Sequence, residues 1–165
     1  MKKVLYTIPN KHYLSYILML FHWVSAIPLF RTFVFKTALI HCHKCRFEPG
    51  FRFYYGQHIT ATDVGFSNAL LMDYDDITIG EGSGFSKDCM VITAQHDTDD
   101  FKKIITMPVN IGKNVYIAAR SLILPGVTIG DNVVIGAGSV VTHDIPSHCF
   151  AAGNPAKIIR PLPKR

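Results

Sequence analysis

The chain has 165 residues, which is one domain's worth with room for a short appendage. With 48% hydrophobic and 18% charged residues it can fill a core, and wholesale disorder is excluded. A formal net charge of +5 favours anionic partners, but no long basic run and no nucleic-acid-binding signature accompanies it, which sets nucleic acid aside.

In chain order, the first distinct stretch is Tyr13 to Phe30, which carries no formal charge. Lys2, Lys3 and Lys11 precede it, Arg31 and Lys36 follow it, and Pro28 interrupts it. The pattern predicts an apolar, mainly helical segment over residues 1–50. It would either cap the domain or lie in a membrane interface through residues 13–40. Its length sits at the lower limit for crossing a bilayer, and no small-x-small cleavage site follows it. The expected location is the cytoplasm, with the inner face of the membrane as the nearest surface for that segment. Next comes Cys42-His43-Lys44-Cys45, a lone CxxC beside His41. A structural zinc site normally takes two such pairs. The expectation is therefore a reduced pair in a packed turn, with no metal. Cys89 and Cys149 complete a set of four cysteines too sparse for a disulfide framework.

Residues 51–152 form the expected main domain, and residues 153–165 a basic tail. From Val109 onward a period appears. Ile111, Ile117, Ile123, Ile129, Ile135 and Val141 follow one another at intervals of six. A second column runs two residues ahead of it: Val109, Val115, Ser121, Val127, Val133 and Ser139. The first phase also occurs earlier, at Ile79, Phe85 and Val91. Six suits neither the 3.6 spacing of a helix nor the simple alternation of a free strand. It suits a short strand and a tight turn, three of which close one triangular coil. β-Branched column residues would point inward and stack from coil to coil, and glycines beside them would permit the turns. Each coil buries its core only against its neighbours. The fold class predicted is an all-β repeat, a parallel β-helix of hexapeptide coils. The phase slips between Val91 and Ile111, which are 20 apart where three hexapeptides would give 18. A loop near 95–108 must therefore leave the wall, and it contains His96. Loops on rigid scaffolds often carry chemistry.

The run from Val109 to Arg160, above all PGVTIGD, IGAGSVVT and AAGNPAK, resembles the C-terminal coils of hexapeptide-repeat O-acetyltransferases. That family includes galactoside and maltose acetyltransferases and enzymes that acetylate bacterial surface polysaccharides. The resemblance weakens toward residue 53. It implies a left-handed β-helix, a homotrimer with sites between subunits, and acetyl-CoA as co-substrate. It places the catalytic histidine at His96 in ITAQHD. It puts acceptor-binding residues at Asn68 and Asp73, and CoA-lining residues at Ala119, Ala137, Thr142 and Arg160. A basic residue often follows that threonine; here it is His143. The wall position that is usually glycine is Ala118, and the next, often serine, is Ala119. HDTDD is closer to the polysaccharide-modifying branch, and residues 1–50 share nothing clear with the helical domain of the sugar enzymes.

On residue type alone, Asn68 reads as a turn residue, Asp73 as a turn cap beside Asp75 and Asp76, and His96 as a solvated loop histidine. Taken with the resemblance, they suit acetyl transfer to a sugar hydroxyl of a polysaccharide or its precursor. A histidine of ordinary pKa, about 6.5, can take the hydroxyl proton near neutral pH. One of the neighbouring acids, Asp73, Asp97, Asp99 or Asp100, could steer the imidazole. Serine, nucleotide-sugar or antibiotic acceptors remain open, as does a non-catalytic trimeric module. A carbonic-anhydrase-like metal enzyme would need three converging histidines, and His96 has no HxxxxH-type partner.

Overall fold

The computed structural model describes residues 3–5, 39 and 41–163. The apolar stretch, its predicted helices and its membrane contact lie outside the described residues. Among the described residues no helix is long and apolar enough to cross a membrane.

Three parallel sheets wrap around one core. The first face stacks Cys42–His43, Ile59–Thr62, Ile77–Ile79, Val109–Ile111 and Thr128–Ile129. The second stacks Arg46–Phe47, Gly65–Phe66, Gly84–Phe85, Tyr116–Ile117, Val134–Ile135 and Cys149–Gly153. The third stacks Arg52–Phe53, Leu70–Met72, Met90–Ile92, Leu122–Ile123 and Val140–Val141. One passage over the three faces makes a coil. Five coils are complete, and a sixth begins where Ile145 bridges to Ile129. Every member of the two predicted columns is buried, at 3% exposure or less. The core is thus a stack of β-branched side chains along the axis, each coil supplying what the next one covers.

The corners are made by residues in the left-handed region. Between the first and second faces these are Lys44, Asp63, Gly82, Asn114, Asn132 and His148. Between the second and third they are Gly50, Asn68, Asp88, Arg120 and Gly138. Asn and Asp are prominent because their short polar side chains tolerate positive φ. Those side chains also bond along the axis: Asn68 Nδ2 donates to Asp88 Oδ1 at 2.6 Å. On the first face the glycine after each column isoleucine has another cause. A Cβ on Gly112 would lie 2.7 Å from the Gly130 carbonyl carbon and 2.8 Å from the Asp131 nitrogen, so the next coil leaves no room.

The wall starts at Cys42, not near residue 51. In its first two coils three corners are shorter, those from Cys42 to Phe47, from Ala61 to Phe66 and from Phe66 to Leu71. Ala61, Phe66 and Leu71 are five apart, and all are buried at 1% exposure or less. A search for sixes misses them. Their core is aromatic: the rings of Phe47, Phe66 and Phe85 stack at centroid distances of 5.3 and 5.1 Å. At the other end the expected basic tail is half of a hairpin, with Ala156–Pro161 running antiparallel to Cys149–Gly153. Cys89 is a core residue, and its thiol donates to the Ala118 carbonyl at 3.2 Å.

The loop after the third coil leaves the wall at the corner between the third and first faces. It forms a hairpin, Ala94–His96 against Ile104–Thr106, with Lys3–Leu5 as a third antiparallel strand. That pairing belongs to a segment expected to be helical, and a three-residue strand carries no period by which to see it.

Candidate active site

His96 ends the first hairpin strand and is exposed. Its Nδ1 lies 2.7 Å from the Phe101 carbonyl oxygen. A carbonyl can only accept, so the proton sits on Nδ1 and the Nε2 lone pair is left free. The hairpin is tied to hold that carbonyl in place. Asp97 N–H donates to the Lys103 carbonyl at 3.0 Å, and Lys103 N–H to the Asp100 carbonyl at 2.8 Å. The Asp97 carboxylate accepts from the Asp99 amide, and the Asp100 carboxylate from the Lys102 amide. So the acids of HDTDD brace the loop, while a main-chain oxygen holds the imidazole at Nδ1. No residue-type signal could have shown that carbonyl. Phe101 itself is 76% exposed beside the imidazole.

Asp73 caps a turn, the reading its residue type offers. It is fully buried, and its carboxylate accepts the amides of Tyr54, Tyr55 and Gly56 at 3.0, 3.0 and 2.7 Å. Burial pushes its carboxyl above the ordinary range, against the pull of those amides. It anchors the corner that ends the first coil.

The remaining predicted residues divide between two edges of the third face. Asn68, Ala119 and Ala137 stand at the corner between the second and third faces. There Asn68 is held by Asp88, and the Ala119 carbonyl accepts the Gly138 amide at 2.9 Å. Ala137 is exposed and Ala119 half-buried, so neither presents bulk at that edge. Thr142 follows Val140–Val141 at the opposite edge, the corner from which the His96 hairpin departs two coils earlier. Its Oγ1 lies 2.7 Å from His143 Nδ1. Arg160 is exposed on the last strand, its guanidinium carbon 5.8 Å from the centroid of Phe150. A single chain thus places His96 and Thr142 on one edge of the face and Asn68, Ala119 and Ala137 on the other. Among the described residues no three His, Cys, Asp or Glu side chains converge as a metal set would.

The bacterial transferase hexapeptide family, described as six repeats, matches residues 108–143. A maltose O-acetyltransferase from Clostridium difficile 630 superposes with a TM-score of 0.76 at 34% identity, over 81% of this chain and 75% of its own. The chain belongs to the hexapeptide-repeat acetyltransferase family. A galactoside acetyltransferase solved with coenzyme A gives a TM-score of 0.83 at 32% identity, over 94% of this chain and 82% of that one. Superposition of that extent requires the same winding sense, so the coils wind left-handed, against the right-handed rule for ordinary parallel crossovers. Galactoside O-acetyltransferase of Escherichia coli is 39% identical over 124 residues, covering 72% of this chain. The chain spans 50% to 63% of the length of the first curated relatives it matches.

Proposed function

We propose that this chain is an acetyl-CoA-dependent O-acetyltransferase that acts on a sugar hydroxyl, with His96 as general base. The observation that carries the reading is the Phe101 carbonyl on His96 Nδ1, which leaves Nε2 as a free acceptor on a hairpin braced by its own loop bonds. Nε2 takes the proton of the acceptor hydroxyl as its oxygen attacks the thioester carbonyl. The C–S bond then breaks, and the imidazolium returns the proton to the departing CoA sulfur. No acyl-enzyme is needed: the two substrates meet in one ternary complex, and proximity supplies much of the rate. The base contributes roughly 10²–10⁴-fold.

The coenzyme A in the solved galactoside acetyltransferase, and the acetyl-CoA in a Vibrio cholerae relative 27% identical to this chain, support the donor. The names galactoside and maltose support a sugar acceptor. The finer acceptor, a cell-surface polysaccharide or its precursor, rests on the HDTDD loop and on the apolar, basic-flanked segment before the wall. That segment also supports a site in the cytoplasm close to the membrane. The division of the predicted residues between two edges of the third face supports a homotrimer, in which the His96 edge of one copy meets the Asn68, Ala119 and Ala137 edge of the next. In that groove the small alanines leave room for the pantetheine arm, while Thr142 and Arg160 serve its polar and phosphate ends.

The test is release of free thiol from acetyl-CoA by the purified chain, across a panel of sugars, nucleotide sugars, serine and polysaccharide fragments. Release that depends on a sugar and falls by 10²-fold or more in His96→Ala supports the reading. Equal activity in that variant removes His96 as the base. Release with serine alone overturns the sugar assignment. Absence of both turnover and CoA binding overturns the transferase.

A further inference from the structure

Outside the proposed site, one pair of reactive side chains has no part in the chemistry above. Cys42 and Cys45 flank the first corner of the first coil. Cys42 pairs with Ala61, and Cys45 occupies the column of Val64, both of them inward positions buried completely. Both thiols therefore point into the solenoid where its stack begins, and both cysteines are half-buried rather than sealed. From the third coil on, the inward positions flanking this corner are four residues apart, as in Ile79 and Ser83 or Ile111 and Val115, while Ala61 and Val64 in the second coil are three apart. Here they are three apart, and Lys44 makes the turn at a φ of 55°. The shortened corner draws the two side chains together at adjoining inward positions. With both thiols protonated, Cys42 Sγ donates to the Ile59 carbonyl at 3.7 Å, and Cys45 Sγ to the His43 carbonyl at 3.4 Å. Both cysteines are free, and no third metal-ligating side chain joins them among the described residues.

We propose that Cys42 and Cys45 form a thiol–disulfide exchange site that reacts with low-molecular-weight disulfides and closes to an intramolecular bridge. Cys45 is the attacking sulfur. When Cys45 ionises, Cys42 can turn its proton from the Ile59 carbonyl to the Cys45 sulfur, and that hydrogen bond pulls the Cys45 thiol down to about 7, against burial, with Arg46 helping and Asp63 opposing. The same bond, together with burial, holds Cys42 well above the ordinary thiol range and makes it the resolving partner. The charged groups around the pair are the exposed Lys44 and the ion pair of Arg46 with Asp63 at 3.7 Å, with exposed His41 and His43 alongside. Asp73 acts on Cys42 from the next coil.

In the first step the Cys45 thiolate attacks one sulfur of the small disulfide. A mixed disulfide forms and one thiolate leaves, to be protonated as a thiol. Cys42 then loses its proton, attacks Cys45 Sγ and expels the second thiolate. In sum, two protein thiols are oxidised to one disulfide, and one small disulfide is reduced to two thiols. Cys89 and Cys149 do not compete. Each is buried and has no cysteine partner, and burial pushes each thiol up.

The test is to incubate the full chain with oxidised glutathione at pH 7, quench by alkylation and read the intact mass. The wild type is expected to lose two hydrogens. Trypsin, which cuts after Lys44, should then release two peptides that stay joined until reduced. Cys42→Ser should stop at one glutathionyl group on Cys45. Cys45→Ser should react at least about five-fold more slowly at pH 6.5, after allowing for the lower nucleophilicity of a low-pKa thiolate. The rate of alkylation of Cys45 in the unmutated chain should reach half its maximum near pH 7, which needs no variant to fold. Two glutathionyl groups without a bridge, adducts on Cys89 or Cys149, equal rates in Cys45→Ser, or an alkylation midpoint above pH 8 would each overturn the proposal.

Discussion

The wall and the hairpin that leaves it are built on opposite terms. In the wall, inward side chains are sealed and backbone groups are bonded from coil to coil, as Ala118 N–H is to the Ile135 carbonyl at 3.0 Å. In the hairpin, His96 and Phe101 are exposed, and order comes from a few loop bonds. The wall teaches how a repeat holds a shape; the hairpin, which carries the proposed base, is ordered by bonds of its own. Substitutions in the two regions should therefore separate activity from stability.

The largest effect belongs to the hairpin. His96→Ala should lower kcat by roughly 10²–10⁴-fold. Because the side chain is exposed, the thermal midpoint should stay put. Loss of both together in a thermal melt and an initial-rate assay would mean that the hairpin holds the wall. The converse is Ile117→Ala. Removing that fully buried side chain should cost about 2–5 kcal/mol in denaturant unfolding, while the surviving folded fraction keeps its activity per molecule.

Asp73 sharpens the comparison at a wall corner. Asp73→Asn turns one of its three acceptor contacts into a donor facing a donor, and should cost about 1–3 kcal/mol. Its pH signature has a definite sign. The folded carboxyl lies above its ordinary value, so the folded chain binds that proton more tightly than the unfolded chain. The contribution is full below the unfolded pKa of about 3.9 and is lost as pH rises through the folded value. The Asn variant should show a flatter slope over that window; an unchanged slope would mean that another carboxyl sets it. The smallest pair of effects separates crowding from backbone strain. Gly112→Ala meets the backbone of the next coil and should cost about 1–3 kcal/mol. Gly138→Ala sits at a φ of 69° with nothing within 4 Å of the new methyl, and should cost about 1 kcal/mol. No loss in Gly112→Ala would mean that the next coil gives way to the methyl.

The periodic coils were legible because a repeat writes its geometry as spacing. Ile111 through Val141 need no partner outside the period to be recognised as core. The slip of two residues before Ile111 located the hairpin by the same logic. The first two coils were not legible, since dropping a residue from a corner changes the spacing to five while leaving the inward geometry intact. Phe47 and Phe66 read as scattered aromatics until the register stacks them on Phe85, which the period already held. The loop that breaks phase placed His96 on the hairpin, where the structure has it. Asp73 left two readings open in the sequence, because an aspartate that binds a ligand and one that binds three amides are the same letter.

By itself, then, the order of residues determined the repeat, the direction in which its columns face and the point where a loop must leave. These follow from local spacing, which a one-dimensional string carries in full. Only the tertiary structure decided what meets across coils: Phe101's carbonyl on His96, the amides of Tyr54, Tyr55 and Gly56 on Asp73, Lys3–Leu5 on the hairpin, and Cys42 against Cys45 at the shortened corner. Those contacts depend on backbone atoms common to every residue, or on distances set by how a corner closes, and neither leaves a mark in residue type.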